Sequence, residues 1–397
     1  MKQTYLQPKP RYEILDGLRG VAAMLVVVFH LFETYAPDHF HFKINHGYLA
    51  VDFFFVLSGF VIGYAYDDRW KRMSVGEFFK RRIVRLHPML VVGTLFGALM
   101  FYFTGGEAFP TVDSTPWWLL LLTTVFCCTL LPLWPGADIR GWSETNPLNG
   151  PAWSLQYEYA GNILYALFFR RCRRRTLEVW VALFAVLTVM LTMRIDPLGL
   201  MADRDWVAYT VIGGWSLLPV HLIAGASRLL YPFFGGLLLY RMGRRIRLGR
   251  HGFAWCSAAL LTLFCMPYVG TEECQWPNGL YECICILVLF PAIVAAGAGS
   301  STGGRRTTAA CRFLGELSYP LYITHYPLIY MQLSWAKAHP DLPQSTHTAV
   351  MCATFVLCIA TAYGCMKLID TPVRRLLTER WLRSGTPDGS TTRQKAG

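Results

Sequence analysis

Apolar runs close to the length of a bilayer crossing recur along the whole chain. They lie at about residues 17–36, 47–66, 84–104, 116–134, 151–169, 176–193, 223–241, 252–268, 279–299, 313–333 and 349–369. A helix needs about 20 mostly apolar residues to span hydrocarbon, and each run is near that length. Polar stretches separate the runs, with no internal repeat and no soluble domain between them. The pattern predicts an all-α, polytopic membrane bundle.

The charges between the runs set its topology. Lys and Arg gather at 67–85, at 170–175 (RRCRRR), at 241–250 (RMGRRIRLGR), at 300–312 and after Lys367, whereas 37–46, 105–115, 194–206, 269–278 and 334–347 hold few. Cytoplasmic loops carry the excess of Lys and Arg. With every basic segment and both termini inside, alternation holds except between 104 and 170. Two crossings there would put RRCRRR outside. The expectation is therefore one net crossing, with a re-entrant or interfacial segment between 105 and 150, and ten crossings in all. Residues 207–222, interrupted by Gly213, Gly214, Pro219 and His221, are expected at the outer interface. Residues 1–15 are expected as a cytoplasmic N-terminal tail, 16–375 as the membrane domain, and 376–397 as a largely disordered cytoplasmic tail.

Composition agrees. The 397 residues are 54% hydrophobic and 16% charged, against about 25% charged in soluble domains. The net charge of +12 is explained by the loops, so nucleic acid is not an expected partner. The first run carries Arg19 and His30 and no small-residue cleavage site, unlike a secretory signal. The twelve cysteines show no CxxC pair. Free thiols are expected, although Cys274 and Cys283 flank one polar loop.

Ionisable residues within apolar runs are costly and usually face a cavity. Arg19 and His30 stand eleven positions apart, three helical turns with about 20° of drift, so they share one face. Asp52 and Ser58 are the polar members of the second run, and a carboxylate there needs a partner. In FFKRRIVRLHP, Arg82 and Arg85 share a face at i, i+3, and Arg forks match phosphate oxygens. Lys80 and Arg81 point elsewhere. In NGPAWSLQYEYAGN, Ser154 and Glu158 are i, i+4 neighbours with Trp153 beside them. In LGELSYPLYITHYPL, Ser318, Tyr322 and His325 line one face, and Glu316 lies near the helix start.

LDGLRGVAAMLVVVFH, GYLAVDFFFVLSGFVI, FFKRRIVRLHP, PAWSLQYE and LGELSYPLYITHYPL occur in this order. Together they resemble acyltransferase family 3, bacterial integral-membrane acyltransferases that modify sugars and secondary metabolites. The resemblance covers residues 12 to 375. The first block has the family's Arg-x10-His spacing at Arg19 and His30, and the third its paired Arg82 and Arg85. Ala50 stands where family members often have Gly. The resemblance implies a ten-helix bundle in the bacterial inner membrane, an acyl-CoA donor, and no metal or permanently bound cofactor. Because the chain stops after the last run, a stand-alone acyltransferase without an esterase-like domain is expected.

Acyl transfer to a hydroxyl needs a base and stabilisation of the oxyanion. Arg19, Arg82 and Arg85 are the expected acyl-CoA contacts, and His30 the base. Asp52 or Glu158 could hold its tautomer, and His30 could also carry the acyl group transiently. Ser58, Trp153, Ser154, Ser318, Tyr322 and His325 are expected in support. The expected acceptor is a carbohydrate or glycoside hydroxyl and the expected acyl group is acetyl. A macrolide-like acceptor is the alternative within the enzyme class. A transporter also places Arg, His and Asp at mid-membrane, but often shows inverted repeats.

The charge pattern places Cys172 in the cytoplasm. In a variant carrying no other cysteine, an impermeant thiol reagent should leave Cys172 unlabelled in intact spheroplasts and label it after lysis. Labelling before lysis would overturn the ten-crossing topology.

Overall fold

A computed structural model of the chain describes residues 9–383. Among these residues the structure is helical and contains no strand. The helices are α1 (Glu13–Glu33), α2 (Ala50–Tyr66), α3 (Val75–Met100), α4 (Pro110–Ser114), α5 (Trp117–Cys127), α6 (Ala152–Leu167), α7 (Arg174–Thr192) and α8 (Pro219–Met242). They continue as α9 (Gly252–Cys265), α10 (Trp276–Ile284), α11 (Phe290–Gly299), α12 (Arg305–Thr324), α13 (Tyr326–Ala338), α14 (Gln344–Cys365) and α15 (Thr371–Leu377). π-helical turns join α10 to α11 and α14 to α15.

Seven of the described helices are long and apolar enough to cross a membrane, against the ten crossings expected. The difference has local causes. The run at 116–134 gives only the 11 residues of α5. Leu130 then takes φ 65 and Pro132 follows, so the chain turns away. The run at 313–333 breaks at His325, because Pro327 enters the first turn of α13 and cannot continue the ladder of α12. The 14-residue α9 and 16-residue α6 are short of a full span. The tail expected from 376 is helical as far as Arg383; the remainder of that expectation, and residues 1–8, lie outside the described residues. All twelve cysteines are free, with Cys274 exposed and Cys283 buried.

Between α5 and α6 the chain is irregular but packed. Arg140 is buried there. It donates to Pro147 O at 2.7 Å and Thr104 Oγ1 at 2.9 Å, and its guanidinium lies 3.7 Å from the Tyr330 ring centroid.

Two parallel helix pairs form the centre. α1 lies along α12, and α2 along α8. Glycine makes both approaches possible. A Cβ at Gly20 would press on the Leu314 backbone, one at Gly59 would overlap the Phe233 carbonyl oxygen, and one at Gly236 would overlap that of Val56. Small residues allow such approach where lipid offers no hydrophobic drive between helices. Phe53, Phe60, Phe264 and Phe290 fill the core behind these pairs.

Gly59→Ala and Gly236→Ala should each lower stability by about 1–3 kcal/mol, read as a lower melting temperature in detergent. Gly364→Ala meets no neighbouring atom and should leave the melt unchanged or slightly raised. Equal melts for all three would contradict the close α2–α8 contact.

Candidate active site

Two cavities enter the bundle from opposite ends and share Val51 and Tyr322 in their walls. The first, about 380 Å³, opens where α1 and α12 begin, and the second, about 790 Å³, opens where they end.

Arginine dominates the first cavity. α3 is started by a capping box in which Ser74 Oγ accepts from Glu77 N at 3.2 Å and Glu77 Oε2 accepts from Ser74 N at 2.7 Å. That fixes the helix face bearing Arg82 and Arg85, both lining residues. Arg85 is exposed within the cavity, whereas Arg82 is buried. Arg82 forms an ion pair with Glu158, and Ser58 Oγ donates to the same carboxylate oxygen at 2.7 Å. Arg19 lies 3.2 Å from Asp16. Ser318 donates to Gly315 O at 2.8 Å, so its hydroxyl is committed to its own helix. At the shared wall, Ser154 Oγ and Tyr322 Oη are hydrogen-bonded at 2.8 Å.

His30 lines the second cavity. Its Nδ1–H donates to Glu33 Oε2 at 2.6 Å. A carboxylate only accepts, so this bond leaves Nε2 with a lone pair. The ring packs edge-on to Tyr326, with centroids 4.9 Å apart, and lies 5.6 Å from the His325 ring. His325 is fully buried. Its Nδ1 lies 2.9 Å from Tyr322 O, and its Nε2 has no partner. Trp142, Trp153 and Trp215 add aromatic walls. Glu144, from the irregular segment, also lines the cavity. Burial pushes its carboxyl up to about 7, against the lowering effect of the Tyr330 hydroxyl and Arg140.

Asp52 and Glu158 do not hold His30. Asp52 is fully buried against Arg228, with Arg228 Nη2 2.8 Å from Asp52 Oδ2. Arg228 also donates to Tyr48 O at 2.6 Å and Gly213 O at 3.2 Å, and lies 5.2 Å from the Trp153 ring centroid. The carboxylate on His30 is Glu33, three residues along the same helix. That i, i+3 spacing was visible in the sequence, as was Arg228 within an apolar run. Glu144 carried no sequence signal, because its segment has no periodicity.

A family model described as an acyltransferase domain matches residues 12–366. The chain belongs to acyltransferase family 3. It is therefore a multi-pass membrane O-acyltransferase, as the resemblance of its five blocks implied. Relatives cover it to different extents. Protein 2 in picA locus of Rhizobium radiobacter is 34% identical over 46% of this chain and 94% of its own length. Acyltransferase MdmB of Streptomyces mycarofaciens is 25% identical over 96% of each chain. The putative peptidoglycan O-acetyltransferase YrhL of Bacillus subtilis is 24% identical over 79% of this chain, which spans only 48% of that protein. No solved structure matches the chain.

Removing one partner of a buried pair leaves an uncompensated charge and costs about 3–5 kcal/mol. Arg228→Ala should lose that much stability, whereas Arg228→Met combined with Asp52→Leu should recover most of it. Matched melts of Arg228→Ala and wild type would show that the pair carries no such energy.

Proposed function

We propose that this enzyme moves an acyl group, acetyl by preference, from acyl-CoA in the first cavity to a carbohydrate hydroxyl in the second. The observation carrying this reading is the His30–Glu33 pair in a cavity that meets the Arg-lined one at Tyr322. The arginine-rich end faces the cytoplasm, by the positive-inside rule, and both termini lie there in the bacterial inner membrane. Arg19 and Arg85 receive donor phosphates, and the pantetheine arm runs toward Tyr322. Arg82, neutralised by Glu158, shapes the passage.

The acceptor enters from the other end. Aromatic faces of Trp142, Trp153 and Trp215 suit the C–H faces of a sugar, and Glu33 and Glu144 can accept from its hydroxyls. The Bacillus subtilis relative, a putative peptidoglycan O-acetyltransferase, supports a carbohydrate acceptor. His30 Nε2 takes the hydroxyl proton as the oxygen attacks the thioester carbonyl. The C–S bond then breaks, and the proton passes to the leaving thiolate. Glu33 stabilises the imidazolium formed between these steps, as in triad chemistry. The Tyr322 hydroxyl, at the junction, is the group best placed to meet the carbonyl oxygen as charge develops.

His30→Gln should lower turnover by 10²- to 10⁴-fold with acetyl-CoA affinity nearly unchanged. Arg85→Ala should weaken donor binding roughly ten- to a hundredfold. Arg82→Ala is the poorer probe, since it also strips Glu158 of its cation. A stable His30→Gln protein with normal turnover would remove His30 from the chemistry.

A further inference from the structure

Beside the first cavity lies another, about 640 Å³. The two share Arg11, Ala65, Arg69, Arg85 and Arg374 in their walls, so they adjoin. The adjoining chamber is lined by six arginines: Arg11, Arg69, Arg81, Arg85, Arg374 and Arg375. Among the described residues, Glu379 is the single carboxylate in its lining, and Arg375 Nε already lies 3.2 Å from it. Asp370, behind the chamber, holds Arg374 at 2.8 Å, and Glu316 lies 3.2 Å from Arg11. The carboxylates present still leave a cationic excess. The Nε atoms of Arg81 and Arg374 are buried without a hydrogen-bond partner, which is costly unless an acceptor arrives.

Two helices supply four of these six arginines. α3 presents Arg81 and Arg85 one turn apart, so Arg81, expected to point elsewhere, lines this chamber beside Arg85. α15 presents Arg374 and Arg375, set between π-helical turns at Met366–Asp370 and Thr378–Arg383. Such turns re-aim the side chains that follow them and often mark functional sites. The family match ends at residue 366, so Arg374 and Arg375 lie beyond what the family model describes.

Resting on the donor reading above, we propose that this chamber is a subsite for the 3′-phosphate of the CoA nucleotide, with Arg374 and Arg375 as its specificity-determining residues. A first cavity of about 380 Å³ suits the narrow pantetheine arm, and the nucleotide end needs the wider, cationic chamber. A phosphate monoester carries about −1.5 to −2 charge at pH 7, and arginine forks match its oxygens. The enzyme therefore distinguishes CoA thioesters from their 3′-dephospho counterparts.

The test is calorimetric titration of the full chain in neutral detergent with acetyl-CoA and acetyl-3′-dephospho-CoA. The wild type should prefer acetyl-CoA by roughly ten- to a hundredfold. Arg374→Gln with Arg375→Gln should abolish that preference while leaving dephospho-donor affinity unchanged. Arg375→Gln alone, at a side chain 82% exposed, is safe for folding and should reduce the preference. Equal wild-type affinities, or a preference that survives the double substitution in a folded protein, would overturn the subsite. Equal affinities together with a melt raised by phosphatidylglycerol would assign the chamber to a lipid headgroup instead. Binding of neither donor would overturn the donor reading itself.

Discussion

The buried pair of Asp52 and Arg228 is the constraint from which the bundle's geometry follows. Two charges removed from water repel the fold unless each is fully engaged. Here the guanidinium meets the carboxylate, Tyr48 O and Gly213 O together. That fixes α2 against α8 and ties the segment around Gly213 to both. The glycines at 59 and 236 then allow these helices to touch backbone to backbone. Trp153, lying against the same guanidinium, is set in the wall of the second cavity by this pair.

From that frame the two cavities acquire distinct electrostatics. One end of the bundle gathers arginines, and the other gathers aromatic rings with three carboxylates and three histidines. Val51 and Tyr322 stand between them, so the two cavities adjoin only across a narrow wall.

Much of this was legible in the sequence. The helical class, the paired arginines and the shared face of Arg19 and His30 follow from apolar run length and helical periodicity. Pairing was less legible. Asp52 was visible as a carboxylate needing a partner, but the partner is 176 residues away, and nothing local identifies it. Glu33 was visible at i, i+3 from His30, but at a helix end it looks hydrated, and only the fold shows the cavity that the pair lines. The stretch between α5 and α6 resisted because irregular backbone has no period, and its anchors are tertiary.

That last segment has a consequence for how the protein is made. Arg140 rests on Tyr330, 190 residues later in the chain (330 − 140). At about 5–20 residues per second of synthesis, roughly 10–40 s pass before the ring exists. During that interval the arginine has only the rings of Phe101 and Phe109 beside it, and the segment lacks its nearest aromatic contact. The second cavity, walled partly by this segment, is therefore closed late in biogenesis, when α13 arrives. A ribosome-bound or truncated chain lacking α13 would carry His30 in an open, unformed cavity.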